Sequence, residues 1–113
     1  MIYHIAHKSD WDAAQKTGSY AADSLASQGF IHCSTAAQVV KVANNYYRGV
    51  KDLVLLTIDP ELLAVEVRYE NLEGGEEQFP HIYGAIPISA ISGVLDFIPS
   101  KDGNFEFPGE TTG

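Results

Sequence analysis

Cysteine is almost missing from this chain of 113 residues: Cys33 stands alone. No internal disulfide can form, and a reducing compartment, the cytoplasm, is the expected location. Positive charge is also scarce. Seven Lys and Arg face fifteen Asp and Glu, the formal net charge is -8, and the arginines are Arg48 and Arg68 alone. Nucleic-acid binding leaves a clustered basic footprint, because phosphate neutralisation supplies much of the affinity. No such cluster exists here, so a nucleic acid is not an expected partner. Long apolar runs are missing as well. The longest, Leu53–Leu56, is strand-sized, far below the roughly 20 residues of a membrane-spanning helix. The opening MIYHIAHK carries neither a basic leader nor a small-residue cleavage site. Gly-rich phosphate loops of the standard types and internal repeats are absent too.

What remains suits one globular domain with a real core. Hydrophobic residues make up 45% and charged residues 19%. IYHIA (2–6) reads as an opening strand. Ser9 with Asp12 suggests a cap for a short helix over Asp10–Lys16, stopped at Gly18. Residues 19–28 lack periodicity and read as a loop, and GFIHCS (29–34) as a second strand. Thr35 with Gln38 forms a capping box for a helix whose apolar positions Val39, Val40, Ala43 and Tyr47 recur at helical spacing, ending near Arg48-Gly49. LVLLTI (53–58) is apolar throughout, as in a strand buried on both faces. AVEVRY (64–69) alternates Val65, Val67 and Tyr69 with Glu66, Arg68 and Glu70, which assigns the charged set to solvent. FPHIYG (79–84) and ISGVLDFI (91–98) supply further strands. The polar loop 71–78 contains Gly74-Gly75, a pair that would let it act as a lid. The domain is expected over 1–99, with 100–113 as a loose tail. The order β-α-β-α followed by mostly β indicates an α+β class.

Three of the four histidines sit in apolar strand segments. Alternation sorts each by face. His4 shares a face with Ile2 and Ala6; His32 with Phe30 and Ser34; His81 with Phe79 and Tyr83. Taken singly, each reads as a hydrogen-bonded structural residue. Together they suggest one shared site, since imidazole donates and accepts hydrogen bonds with little net charge. Ser34 is a candidate ligand contact or a helix cap. Cys33 faces away from His32, which argues against a Cys/His nucleophilic pair. An open zinc site of three histidines is the chemical competitor, but none of the three lies at a short ligand spacing from another, and no metal is expected.

At these segments the chain resembles a known group. IYHIA, GFIHCST, DLVLLTID, VRYE and FPHIYG, spread over residues 2–98, match the pattern of the bacterial "domain of unknown function 952" family. That family resembles the ADP-ribosyltransferase fold, with split, bent β-sheets, two N-terminal helices and NAD held in the cleft. The closest likeness is to the RNA 2′-phosphotransferase branch. The resemblance implies that His4 matches a first-strand histidine that contacts the adenosine side or its ribose. His32 and Ser34 match a His-x-Ser motif that orients the nicotinamide ribose and amide. It further implies that Tyr83 stacks and Arg68 pairs with a phosphate. His32 and His81 become the expected catalytic residues and NAD the expected cofactor. His81 is a departure, because toxin-like transferases often place a catalytic glutamate at that position. The scarcity of arginine disfavours RNA repair. The expectation is a small-molecule partner, with an NAD-dependent transferase or glycohydrolase-like activity. The alternative is a non-catalytic binding domain using the same cleft.

Overall fold

The computed structural model describes residues 1–71 and 75–108. Strand β1 (Ile2–His7) runs straight into helix α1 (Lys8–Thr17). The helix starts earlier than expected, without the Ser9 cap: its N-cap is His7, which makes no side-chain cap bond. The Lys8 N–H is satisfied instead by the Asp52 carbonyl at 2.7 Å. Gly18 ends α1 at φ 93, a left-handed conformation that favours glycine.

Residues 19–28 are not a plain loop. They contain β2 (Ser19–Tyr20) and a helix, α2 (Asp23–Gln28), closed by Gly29. Three α-helices are therefore present among the described residues rather than two. A six-residue helix with no fully buried residue has too few turns to show a period, so its sequence resembles a loop. Next come β3 (Ile31–His32), α3 (Ala36–Tyr46) and β4 (Leu53–Ile58), followed by β5 (Val67–Glu70), β6 (Phe79–Ile82), β7 (Ile86–Pro87) and β8 (Ile91–Phe97). At α3 the capping box forms as expected, with Thr35 N–H donating to the Gln38 side chain at 2.9 Å.

The strands form three small antiparallel sheets, in the orders β1-β4-β8, β2-β7 and β3-β6-β5. Central β4 is buried on both faces, as its apolar run requires. Leu53 and Leu55 face α3, packing with Ile5, Val39, Ala43, Phe97 and Phe105. Val54, Leu56 and Ile58 face the other way, onto Ile31, Cys33, Ile82, Ile86 and Ala14. A pair of 2.8 Å backbone bonds between Tyr3 and Ser34 ties β1 to the end of β3. Two sheets thus meet edge to edge along the segments that carry His4 and His32.

Ser100–Pro108, expected to belong to a loose tail, packs onto the domain. Phe105 is buried, its ring 4.7 Å from Phe97, and Phe107 meets Tyr3 edge-on at 5.3 Å. The physical reason is a short apolar alternation, Phe105 and Phe107 about an exposed Glu106, inside a polar stretch. Residues 109–113 lie outside the described chain, as do residues 72–74 of the expected lid. No helix among the described residues is long and apolar enough to cross a membrane.

Candidate functional site

The site is the outward face of the β3-β6-β5 sheet together with the adjoining edge of β1. Register determines which side chains meet there. His32 lies opposite His81, Arg68 opposite His81 on the other side, and Glu70 opposite Phe79. Residues two apart share a face, so Phe30, His32, Phe79, His81, Tyr83, Arg68 and Glu70 all project to one side. The opposite face, with Ile31 and Ile82, belongs to the core.

This face opens into a cleft of about 590 Å³, within the range of small-molecule sites, which is about 300–1,000 Å³. His4, His32, Ser34 and His81 line it together. Four of the six expected site residues are thus brought to one cavity. Tyr83 and Arg68 are not in its lining. The Arg68 guanidinium pairs with Glu66 (2.9 Å) and lies over the Tyr83 ring, 4.6 Å from its centroid. Tyr83 is connected to the cleft through its hydroxyl, which bonds the lining residue Glu70.

His4 is an internal strut with a determined tautomer. Its Nδ1 lies 2.6 Å from the His32 carbonyl, which can only accept, so Nδ1 carries the proton. Nε2 is then an acceptor, and the Tyr20 hydroxyl donates to it at 2.9 Å. Burial disfavours the imidazolium and holds the His4 pKa at about 4, despite the opposing effect of the carbonyl bond. The ring is therefore neutral at pH 7. Burial likewise pushes the Tyr20 phenol and the Cys33 thiol up, leaving both protonated and Cys33 chemically inert.

His81 is 4% exposed and stacks on Phe30 with ring centroids 4.3 Å apart and an interplanar angle of 24°. Its Nδ1–H donates to Glu70 Oε1 at 2.9 Å, and the Tyr83 hydroxyl donates to the same oxygen at 2.5 Å. These two bonds, Tyr83 first, hold the Glu70 carboxyl below its ordinary range, so it is ionised at neutral pH. His81 Nε2 makes no hydrogen bond among the described residues, and neither does the Ser34 hydroxyl, itself only 5% exposed. Both buried groups line the cleft with bonding capacity to spare. Ser34 is not the helix cap, since Thr35 fills that position. His32, by contrast, is exposed, and its Nε2–H donates to Gln28 at 2.6 Å.

Glu70 is the residue the sequence reading missed. Alternation put it on the charged, outward face of β5, which is correct, but that face is the wall of the cleft rather than free surface. Tyr20 was also missed, because it lies in the two-residue strand β2, positioned by its pairing with Ile86. Asp10 and Asp23, from the first turns of α1 and α2, complete the acidic part of the lining. No group of three or more His, Cys, Asp or Glu among the described residues is arranged to hold a metal ion.

Comparison with known proteins bears out the family read from the motifs. The crystal structure of protein CC0527 from Caulobacter crescentus is 32% identical, with a TM-score of 0.83 over 93% of this chain and 92% of that one. The solution NMR structure of the same protein matches at 33% identity and a TM-score of 0.80, over 91% and 89% of the two chains. No curated protein matches the chain. The family described as "Protein of unknown function (DUF952)" matches residues 5–94, and the chain belongs to it.

Proposed function

We propose that the cleft binds a small ribose-bearing ligand of the NAD class and that the protein is an ADP-ribosyltransferase-like enzyme acting at the ligand's N-glycosidic bond. The observation that carries this reading is Glu70, an ionised carboxylate in a histidine-lined cleft, oriented by Tyr83 and His81. Breaking an N-glycosidic bond builds positive charge at the anomeric carbon and ring oxygen. A preorganised carboxylate stabilises that charge where it develops. The departure noted at His81 is thereby answered by a neighbouring strand: the histidine positions a glutamate instead of replacing one. Ser34 and His81 Nε2 are free to bond ribose hydroxyls or an amide, and the phenol rings of the lining can stack on a heterocycle.

The donor set matches only part of NAD. It suits the ribose and the nicotinamide, whereas no Lys or Arg among the described residues lines the cleft for the diphosphate. Arg68, the expected phosphate partner, is engaged by Glu66. No step is therefore routed through the whole dinucleotide. A non-catalytic binding domain is the second reading. It is favoured by His4, whose two ring nitrogens are both committed inside the protein and cannot shuttle a proton.

Release of free nicotinamide from NAD and from nicotinamide riboside tests the proposal. Wild type should release nicotinamide over time from at least one of them. Glu70→Gln, which keeps the shape and removes the charge, should be slower by about a hundredfold or more while still binding. Binding without release by wild type would select the second reading. No binding of either compound would overturn the first reading.

A further inference from the structure

The charge of the cleft makes a demand on its ligand that the fold likeness does not contain. Three carboxylates contribute to the lining: Glu70 on β5, Asp10 on α1 and Asp23 on α2. Among the described residues no Lys or Arg joins them. Lys41 pairs with Glu77, Arg68 with Glu66, and Arg48 with Asp102 and Asn104, all away from the cleft lining. His4 offers no positive charge either, because it is buried, neutral and bonded at both nitrogens. The whole chain adds a net charge of -8 to this local field. A concave site lined by one sign of charge changes the local concentration of a charged ligand by about ten- to a thousandfold, in favour of the opposite sign.

The acids alone would not define a site. Two buried polar groups aimed into the same cavity do so independently: the Ser34 hydroxyl and His81 Nε2, 5% and 4% exposed by residue and without a hydrogen-bond partner among the described residues. Both are compact polar groups suited to hydroxyls or an amide. Tyr3, Tyr47 and Phe79 add aromatic residues to the lining, and aromatic faces attract a cationic heterocycle as well as stacking on it.

We infer that the cleft selects a ribosyl ligand lacking phosphate, a neutral or singly cationic nucleoside-type N-glycoside, and discriminates against its phosphorylated forms. This rests on the reading that the cleft takes a ribose-bearing ligand. The nucleoside end would lie between Ser34, His81 and Glu70, with its base on the aromatic residues. A 5′-phosphate would extend toward Asp10 and Asp23 and meet repulsion with no compensating donor charge.

Isothermal titration with nicotinamide riboside, nicotinamide mononucleotide, NAD and adenosine tests this, since the first two differ by one phosphate. Nicotinamide riboside should bind about tenfold or more tightly than the mononucleotide at low ionic strength. The ratio should shrink in added salt, because screening acts on the charge and not on the stacking. The double variant Asp10→Asn/Asp23→Asn, whose parent side chains are exposed, should narrow the ratio. Equal or tighter binding of the mononucleotide or NAD would overturn the inference and leave the nucleotide-site reading standing. No binding by any of the four would remove that reading and the inference together.

Discussion

Replacing Phe105 by alanine should destabilise the protein by about 3–5 kcal/mol, the range for emptying a buried phenyl site. Phe105 is 2% exposed and packs in the layer between α3 and the β1-β4-β8 sheet, against Phe97. Its backbone N–H donates to the Asn44 side chain at 2.6 Å. Arg48, just beyond α3, holds the same segment through the Asn104 side chain and the Asp102 carbonyl, each at 2.8 Å. Against a typical total stability of about 5–15 kcal/mol, such a loss is a large fraction. Urea unfolding of wild type and variant would measure it as a drop in midpoint with an unchanged slope. Phe107→Ala, which removes a half-buried ring, should cost about 1 kcal/mol. Wild-type stability in Phe105→Ala would mean that the segment is loose after all.

The same segment shows where the sequence is legible and where it is not. Elements with several turns or a long apolar run declare themselves: α3 through its spacing and capping box, β4 through LVLLTI, whose observed limits match the reading. Helix α2 and the two-residue strands β2 and β7 are too short to carry a period, and the two strands exist by pairing with each other. Phe105 and Phe107 did leave a signal, two aromatics alternating across Glu106, but a Gly-rich polar setting hid it.

At the site, facing was readable and depth was not. Alternation grouped Phe30 with His32 and Ser34, and Phe79 with His81 and Tyr83, and the structure keeps those groupings. Yet a cleft wall and a solvated sheet face produce the same alternation, so Glu70 looked like surface beside Glu66 and Arg68. Only the β5–β6 register, which sets Glu70 two pairs along from His81 on the same face, turns that glutamate into a partner. His32 shows the converse. Its motif was clear, but it is exposed and bonded to Gln28 of α2, a helix absent from the sequence reading.

His4 should make stability depend on pH in a window set by its own burial. In the unfolded chain it takes up a proton as pH falls below the ordinary value of 6.5, whereas in the folded protein it resists until about 4. Its contribution is therefore fully present above about 6.5 and is lost as pH falls toward 4. A displacement of this size corresponds to about 3 kcal/mol over the whole window, and to about 2 kcal/mol between pH 7 and pH 5. The carboxylates whose pKa values are held low, Glu66, Glu70, Glu77 and Asp102, act in a lower window, below their ordinary values near 4. The difference between wild type and a His4 variant between pH 7 and 5 reads this histidine's own contribution. His4→Gln can still offer an amide to the His32 carbonyl but binds no proton, and it should flatten the profile over that interval. Nitrogen-15 spectra of the ring provide a direct reading of the cause. They should show the Nδ1–H tautomer down to pH 5, because the carbonyl accepts at Nδ1 and the Tyr20 hydroxyl donates at Nε2. A His4 ring that titrates near 6.5 would contradict both the buried strut and the pH window derived from it.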